Sequence, residues 1–215
     1  MFVIKTNCET LENIIIPNNI NILVCEGLGL KSLKGCPSYI TDLRCSNNLL
    51  STFDGLNNNN LMRLDISKNK FTTLEGCPQS VKELRCSNNQ LINLKGCPEG
   101  LISLGCSFNH LKSFEGCVKS IENIVCAFTF LSTLKGLPSN LKKLYCSYNY
   151  LTSLQYCPVV DNLDCSCNLV TSLNGCPEGI KELCCSNNKL TTLDGCPLSV
   201  NILRCSGNNI KRMSN

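Results

Sequence analysis

Cysteine is the residue type in this sequence with the widest chemistry, because a thiolate can bind metals, attack electrophiles and form disulfides. Nineteen of the 215 residues are cysteine, an odd number that does not suit a fully paired disulfide scaffold. The close pairs Cys165 with Cys167 and Cys184 with Cys185 resemble halves of a zinc site. No histidine lies near them in sequence, and structural zinc needs four converging ligands. We therefore predict no metal and no cofactor.

His110 is the only histidine and the natural candidate for a general base. The sequence places no serine, cysteine or carboxylate as its obvious catalytic partner, and a lone surface histidine is by far the commoner situation. We expect no catalytic residues and no enzymatic activity.

Most of the cysteines belong to an internal repeat of 20 residues that runs from Ile20 to the end of the chain. Within each turn, position four is always leucine or isoleucine, position six is usually cysteine and position nine is usually asparagine. The ten turns begin at Ile20, Ile40, Leu61, Val81, Leu101, Ile121, Leu141, Val160, Ile180 and Val200.

The consensus turn, L-x-x-L-x-C-S-x-N-x-L-x-x-L-x-G-C-P-x-x, resembles the leucine-rich repeat across about nine tenths of the chain. Its length and its proline at position eighteen are similar to the short bacterial-type repeats of effector proteins. Its cysteines resemble a variant encoded by large DNA viruses of amoebae. Some of those effectors carry a separate ubiquitin-ligase domain, but repeats fill this chain, so that activity is not carried over.

The repeat predicts a leucine-rich-repeat solenoid, a right-handed superhelix of the β/α type. Positions three to seven should form a short strand, which gives one parallel sheet of about ten to eleven strands on the concave face. Glycine at position sixteen and proline at position eighteen leave no room for a regular helix, so the convex face should be extended or polyproline-like. In the turn from Ile40, the asparagine run 57–60 replaces proline and predicts a local bulge.

Two segments are expected along the chain. Residues 1–19 look like a degenerate N-terminal capping turn, and residues 20–215 form ten stacked repeats, of which the last is incomplete. Because no cap is evident after the last turn, the strand near residues 200–206 is predicted to be an open edge that could pair with another copy.

Sixteen of the cysteines fall at positions six and seventeen, which the repeat turns toward the core. Parallel strands hold equivalent side chains at about 4.8 Å and pointing the same way, whereas a disulfide needs converging Cβ atoms about 3.8 Å apart. We predict reduced thiols that act as small hydrophobic residues. Asparagine at position nine should bond to backbone groups of its own turn and the adjoining one. Cys8, Cys167 and Cys184 lie off these positions, and the last two are expected to be exposed.

Positions three, five, seven, eight and ten are expected to face outward on the concave side. Aromatic residues cluster there in the turns from Leu101 to Leu141, and clustered exposed rings usually mark a contact surface. The rings could instead cover a break in the asparagine pattern at Thr129, or simply pack on one another. The predicted partner-binding residues are Phe108, His110, Phe128, Phe130, Tyr145, Tyr148 and Tyr150.

A second candidate surface combines charges of both signs, which is more typical of a solvated face. Its members are Arg44, Arg63, Asp65, Lys68, Lys70, Glu83 and Arg85.

Charge and composition leave the partner open. The net charge of +4 is spread without runs of one sign, which disfavours nucleic acid, and no apolar stretch reaches the length of a membrane span. Residues 1–17 lack a secretory pattern, so we expect a cytoplasmic protein, or one in the host cytoplasm or virion if its source is viral. The leading hypothesis is a scaffold that binds an unidentified protein on its concave face. The alternative is a structural or self-assembling component, such as a virion or particle protein, that uses the C-terminal edge as a homo-oligomer contact.

Overall fold

The protein is a single solenoid in a computed structural model that describes residues 1–211; the predicted end of the last turn, residues 212–215, lies outside them. Eleven strands form one sheet in chain order, and every neighbouring pair is parallel. The predicted sheet is therefore confirmed. The strands are β1 (Phe2–Val3), β2 (Ile22–Val24), β3 (Asp42–Arg44), β4 (Arg63–Asp65), β5 (Glu83–Arg85), β6 (Ser103–Gly105), β7 (Asn123–Val125), β8 (Lys143–Tyr145), β9 (Asn162–Asp164), β10 (Glu182–Cys184) and β11 (Ile202–Arg204).

The strands follow the repeat but are shorter than the sequence predicted. Ten of them occupy positions three to five, so that Leu23 lies opposite Leu43 and the same position meets itself in every turn. Backbone hydrogen bonds between neighbouring turns continue past the strands to position eight, as from the Asn47 N–H to the Ser67 carbonyl at 2.9 Å. At position eight the backbone becomes left-handed, with φ of 58° at Asn47 and 56° at Asn88. That conformation turns the chain out of the extended direction.

The core consists of stacked columns of leucine, isoleucine and cysteine. The position-four and position-six side chains of the central turns, such as Leu104 and Cys106, are almost fully buried. Several position-six thiols also donate a hydrogen bond to the backbone carbonyl of position five in the next turn, as Cys45 Sγ does to Asp65 at 3.3 Å. The cysteines thus combine apolar packing with a weak hydrogen bond, as free cysteine commonly does in protein interiors.

The asparagine column closes the strand ends, as predicted. Asn89 Nδ2 donates to the carbonyl oxygens of Ile66 in the preceding turn and Cys86 in its own turn, both at 3.0 Å. Its Oδ1 accepts the backbone N–H of Phe71 at 3.0 Å. The same arrangement recurs at all eight asparagines of position nine. Each side chain therefore pairs backbone groups that the strands leave buried and free.

The convex side has turns and no helix among residues 1–211, and none of these residues forms a helix that could cross a membrane. Position sixteen has a positive φ, for example 84° at Gly96, and the chain packs so tightly that a Cβ there would lie 2.3 Å from the backbone nitrogen of Glu75. Tyr156, the one replacement, also takes a positive φ of 67°.

The extra residue in the turn from Ile40 is absorbed in the return segment, so β3 and β4 keep their register. Asn58 is buried there and donates from Nδ2 to the carbonyl of Ile40 at 2.7 Å. Its Oδ1 accepts the backbone N–H of Asn60 at 2.8 Å, which closes a local turn where most other repeats use proline.

The two ends of the sheet differ in how well they are covered. β1 pairs with β2 in parallel, and Leu11 of the first segment is buried. At the other end, within residues 1–211, β11 pairs only with β10, and Leu203 and Cys205 are only partly buried, although their equivalents in the preceding turns are buried. The assignment of residues 1–19 as a cap stays a prediction.

Candidate functional site

Three bulky rings occupy the left-handed turn that follows the strands. Phe108, Phe128 and Tyr148 have φ of 55°, 53° and 55°. This region is sterically costly for large side chains and is favoured by glycine and asparagine, which fill the same position in Asn47 and Asn187. These three rings, called the position-eight column, are therefore held where the backbone does not favour them.

The position-eight rings stack on one another. Their centroids are 4.5 Å apart between Phe108 and Phe128 and 4.1 Å apart between Phe128 and Tyr148, with planes inclined by only 8° and 11°. Each ring keeps 42% to 50% of its residue surface exposed. The column thus offers its edges to solvent while its inner faces are covered. A hydrogen-bonding interaction with Cys167 in the next turn raises the pKa of the Tyr148 hydroxyl.

A second column is formed by His110, Phe130 and Tyr150, and is called the position-ten column. Phe130 and Tyr150 are stacked with centroids 6.1 Å apart and planes inclined by 14°. The imidazole of His110 meets Phe130 edge to face at 5.7 Å. Because the buried position-nine residues lie between the two columns in sequence, the rings form two parallel rows after the strands and not one continuous patch.

Tyr145 lies apart from both columns. It belongs to β8 and lines a concave-face cavity of about 220 Å³ together with side chains of β9 to β11, among them Asp164, Glu182 and Arg204. Tyr145 makes no ring-ring contact with either column within residues 1–211, whereas the other six rings do contact one another. Six of the seven predicted site residues are therefore brought together, in two rows.

The two columns flank the one break in the asparagine pattern within turns 40–211. Thr129 is buried, and its hydroxyl donates to Asn149 Oδ1 at 2.7 Å. It does not reach the backbone N–H of Leu111, which is the group that an asparagine here would accept by analogy with Leu91 and Asn109. Among residues 1–211 the Leu111 N–H has no hydrogen-bond acceptor.

Most of the cysteines are buried free thiols. All nineteen lie within residues 1–211 and are free thiols. Burial raises the pKa of Cys36, Cys77 and Cys157 to about 12, so these thiols stay protonated near neutral pH. A protonated thiol is neither a nucleophile nor a metal ligand. No group of three or more potential ligands that could hold a metal is present in residues 1–211.

Cys167 and Cys184 are half-buried and not fully exposed as expected from sequence. Cys167 continues the position-eight column beyond Tyr148, while Cys184 lies on the concave face, where its Sγ is 3.9 Å from Ser186 Oγ. The neighbouring turns cover both thiols in part.

The charged surface is a regular array on the concave face. The register places Asp42 opposite Arg63 and Arg44 opposite Asp65, then Arg63 opposite Glu83, so that signs alternate along and across β3 to β5. These side chains line a cavity of about 290 Å³. Lys68 and Lys70 of the predicted set stand at positions eight and ten, outside this array.

Asp42 pairs with two arginines of this array and was not among the charged residues predicted from the sequence. Its carboxylate is almost fully buried and accepts hydrogen bonds from Arg44 Nη2 at 3.2 Å and Arg63 Nε at 3.1 Å. Burial alone would raise the pKa of Asp42, but the bonds from Arg44 and Arg63 outweigh it and lower that pKa. An acidic residue two positions before an arginine on one strand face was the available signal.

No family model matches this sequence, and no curated protein matches it. Solved structures do resemble it. Similarity to YopM from Yersinia enterocolitica WA-314 has a TM-score of 0.70 at 26% identity and covers 94% of this chain and 54% of that one. The functional domain of InlJ from Listeria monocytogenes, which includes a cysteine ladder, gives a TM-score of 0.69 at 25% identity and covers 91% of this chain and 46% of that one.

A third structure, the leucine-rich-repeat domain of a Shigella effector, has a TM-score of 0.57 at 24% identity and covers 89% of this chain and 83% of that one. The chain spans about half the length of the YopM and InlJ chains that it matches. The parallel sheet, the convex turns and these similarities together establish the fold. The resemblance to viral proteins stays a prediction.

Proposed function

Because the chain has the leucine-rich-repeat solenoid fold, we propose that it is a non-enzymatic scaffold that binds a partner protein through the position-eight and position-ten columns. One observation carries this proposal: three large rings are held at a left-handed backbone position, where they are strained and half-exposed. Strain that persists at an exposed position usually serves a function, because glycine or asparagine at the same position would relieve it. Aromatic rings also bury much area at little entropic cost when a partner docks.

Similar proteins support a binding role. YopM from Yersinia pestis is described as a leucine-rich effector protein, and the Shigella structure is an effector domain of the same fold. We place the protein in the cytoplasm, of the host if its source is viral. Nucleic acid is a poor match for the columns, since the net charge is only +4 and stacking platforms for bases need a basic groove beside them.

The test exchanges the rings for residues that the repeat itself uses. The double variant Phe128→Asn with Phe130→Gln carries the residue types found at the same positions in Asn88 and Gln90. We expect affinity capture from the native host extract to lose its specific partner, while urea unfolding shows a stability no lower than that of the parent protein. The matched control, Asn187→Ser with Lys189→Ser, alters the same positions two turns beyond Tyr148 and should capture normally.

Two results would contradict the proposal. Capture that survives the ring exchange would show that the columns are not the binding site. A large loss of stability would show instead that the rings serve to cover the break at Thr129.

A second candidate function is self-assembly through β11. The observation that favours it is the partial exposure of Leu203 and Cys205, whose equivalents in the preceding turns are buried. An edge strand with unpaired backbone groups can pair with a second copy. Sedimentation velocity over a hundredfold concentration range tests it, and a monomer at every concentration would exclude it.

A further inference from the structure

An open groove runs along the outer side of the position-ten column. It has a volume of about 630 Å³ and is lined by His110 and Phe130 on one side and by residues of positions twelve to fifteen on the other. This volume falls in the range of roughly 300–1,000 Å³ that is typical of ligand sites. The remaining lining residues are Ile92, Asn93, Lys112, Ser113 and Glu115.

The walls of the groove are apolar at its centre. Ile92 is 63% exposed and Phe130 is 46% exposed, and both line the same cavity. Position twelve is polar in the next turns, for example Lys112 and Ser132, so an isoleucine here is not required by the repeat. Exposed aliphatic and aromatic side chains that share one groove gain free energy when an apolar group covers them.

The charge in the groove is unbalanced. Glu115 is neutralised by Lys95, whose Nζ lies 3.0 Å from its Oε1. Lys112 forms no ion pair with any of residues 1–211, although it lines the same groove. The groove therefore keeps one uncompensated positive charge beside an apolar wall, and the His110 imidazole adds a hydrogen-bonding group at the same place.

We propose that this groove receives a segment of the partner protein in which a large apolar side chain lies next to a carboxylate. The apolar side chain packs between Ile92 and Phe130, and the carboxylate pairs with Lys112. The inference rests on the proposed function, because Phe130 and His110 belong to the position-ten column. It adds the chemistry of the partner, which the columns alone do not specify.

The groove can be tested without the partner. N-acetylphenylalanine carries both features, and its primary amide keeps the ring but lacks the charge. His110 is the only histidine, so its imidazole signals in an NMR spectrum report on this groove alone. We expect N-acetylphenylalanine to shift those signals on titration, with the amide binding about threefold more weakly, as the loss of one exposed ion pair implies.

Substitutions assign the two contacts separately. Lys112→Met should lower the affinity for N-acetylphenylalanine to that for its amide. Lys135→Met, which removes an exposed lysine outside the groove, should leave the affinity difference between the two probes unchanged. Ile92→Ala should weaken both probes. An unchanged amide spectrum elsewhere will show that each variant is folded.

Equal affinity for the two probes, or a threefold difference that survives Lys112→Met, would overturn the charge assignment. Absence of any His110 shift at millimolar probe would overturn the groove as a site. These outcomes are independent of the capture experiment, because they are measured on the parent protein and the Lys112, Lys135 and Ile92 variants without the partner. Probe binding that depends on Lys112, together with capture that survives the ring exchange, would contradict the proposed function and leave the chemistry of the groove in place.

Discussion

Asparagine at position nine shows most clearly how one residue type determines local structure. Its amide supplies two donors and an acceptor on one short side chain, and Asn109 uses both donors, bonding to Cys86 and Cys106 at 3.0 Å and 2.9 Å. Leaving such groups unpaired in the interior costs about 1–3 kcal/mol. Thr129 is informative because its hydroxyl can replace only part of this set, which leaves the Leu111 N–H without an acceptor.

Restoring asparagine at this position should stabilise the protein. We expect Thr129→Asn to raise the free energy of unfolding by about 1 kcal/mol, because the new amide can accept the Leu111 N–H and donate to the Cys106 carbonyl. The reverse exchange, Asn109→Thr, creates the same defect one turn earlier and should lower it by about 1–2 kcal/mol. Urea unfolding measures both. A destabilising Thr129→Asn would mean that the aromatic columns require threonine between them.

The return segment is the element that sets the spacing of the turns. Within residues 1–211 it contains no helix, and at Gly35, Gly55, Gly96 and Gly116 the position-sixteen glycine lies directly against the backbone of the preceding turn. Such an approach, combined with a positive φ, excludes any side chain larger than hydrogen without a shift of the chain. Tyr156 replaces glycine in a turn that is one residue short and still has a positive φ. Position sixteen therefore needs the positive backbone angle in that turn, but it does not need the close approach that only glycine allows.

A comparison of Gly96 and Gly29 distinguishes the cost of a steric clash at Cβ from the cost of a positive φ. Gly96→Ala places a Cβ 2.3 Å from the Glu75 nitrogen and should cost about 3 kcal/mol or more. Gly29 has a nearly equal φ of 83° against 84°, yet nothing lies within 4 Å of a Cβ there, so Gly29→Ala should cost only about 1 kcal/mol. Thermal and urea unfolding will measure the two. Equal losses would show that the close approach contributes nothing.

At the scale of the whole molecule, the solenoid is a stack in which each turn contacts its neighbours and the core is continuous. Cysteine, a side chain smaller than leucine or isoleucine, fills that core at positions six and seventeen. Burial raises the pKa of several of these thiols to about 12, against an ordinary value of 9.0. The folded state therefore holds their protons more tightly than the unfolded chain does.

This difference predicts alkaline unfolding. Because the folded pKa is raised, the stabilisation is complete below pH 9 and is lost as the pH rises toward 12. Each buried thiol adds about 1.4 kcal/mol per pH unit to that loss. Circular dichroism melts between pH 7 and pH 11 should show a steep fall in melting temperature above pH 9, and Cys77→Ala with Cys117→Ala should make it shallower. A melting temperature that is flat across this range would contradict buried, protonated thiols.

The period of 20 residues was sufficient to predict the solenoid, the parallel sheet, the buried cysteines and the bonding of the asparagines. Each of these follows from a side chain that meets its own equivalent one turn away, so a local pattern becomes a tertiary contact by repetition. The strands are shorter than predicted, and the left-handed turn at Phe108 and its equivalents is a backbone property that side-chain periodicity does not reveal.

Only the tertiary structure decided how the rings are arranged. Sequence proximity suggested one patch, but Tyr145 faces β9 and the other six residues separate into two rows, because the direction of a side chain after a turn depends on backbone angles. The burial of Asp42 and the groove beside Ile92 depend on residues from adjoining turns. The sequence by itself thus determined what repeats, and the folded chain decided the surfaces that arise where individual turns depart from the repeat.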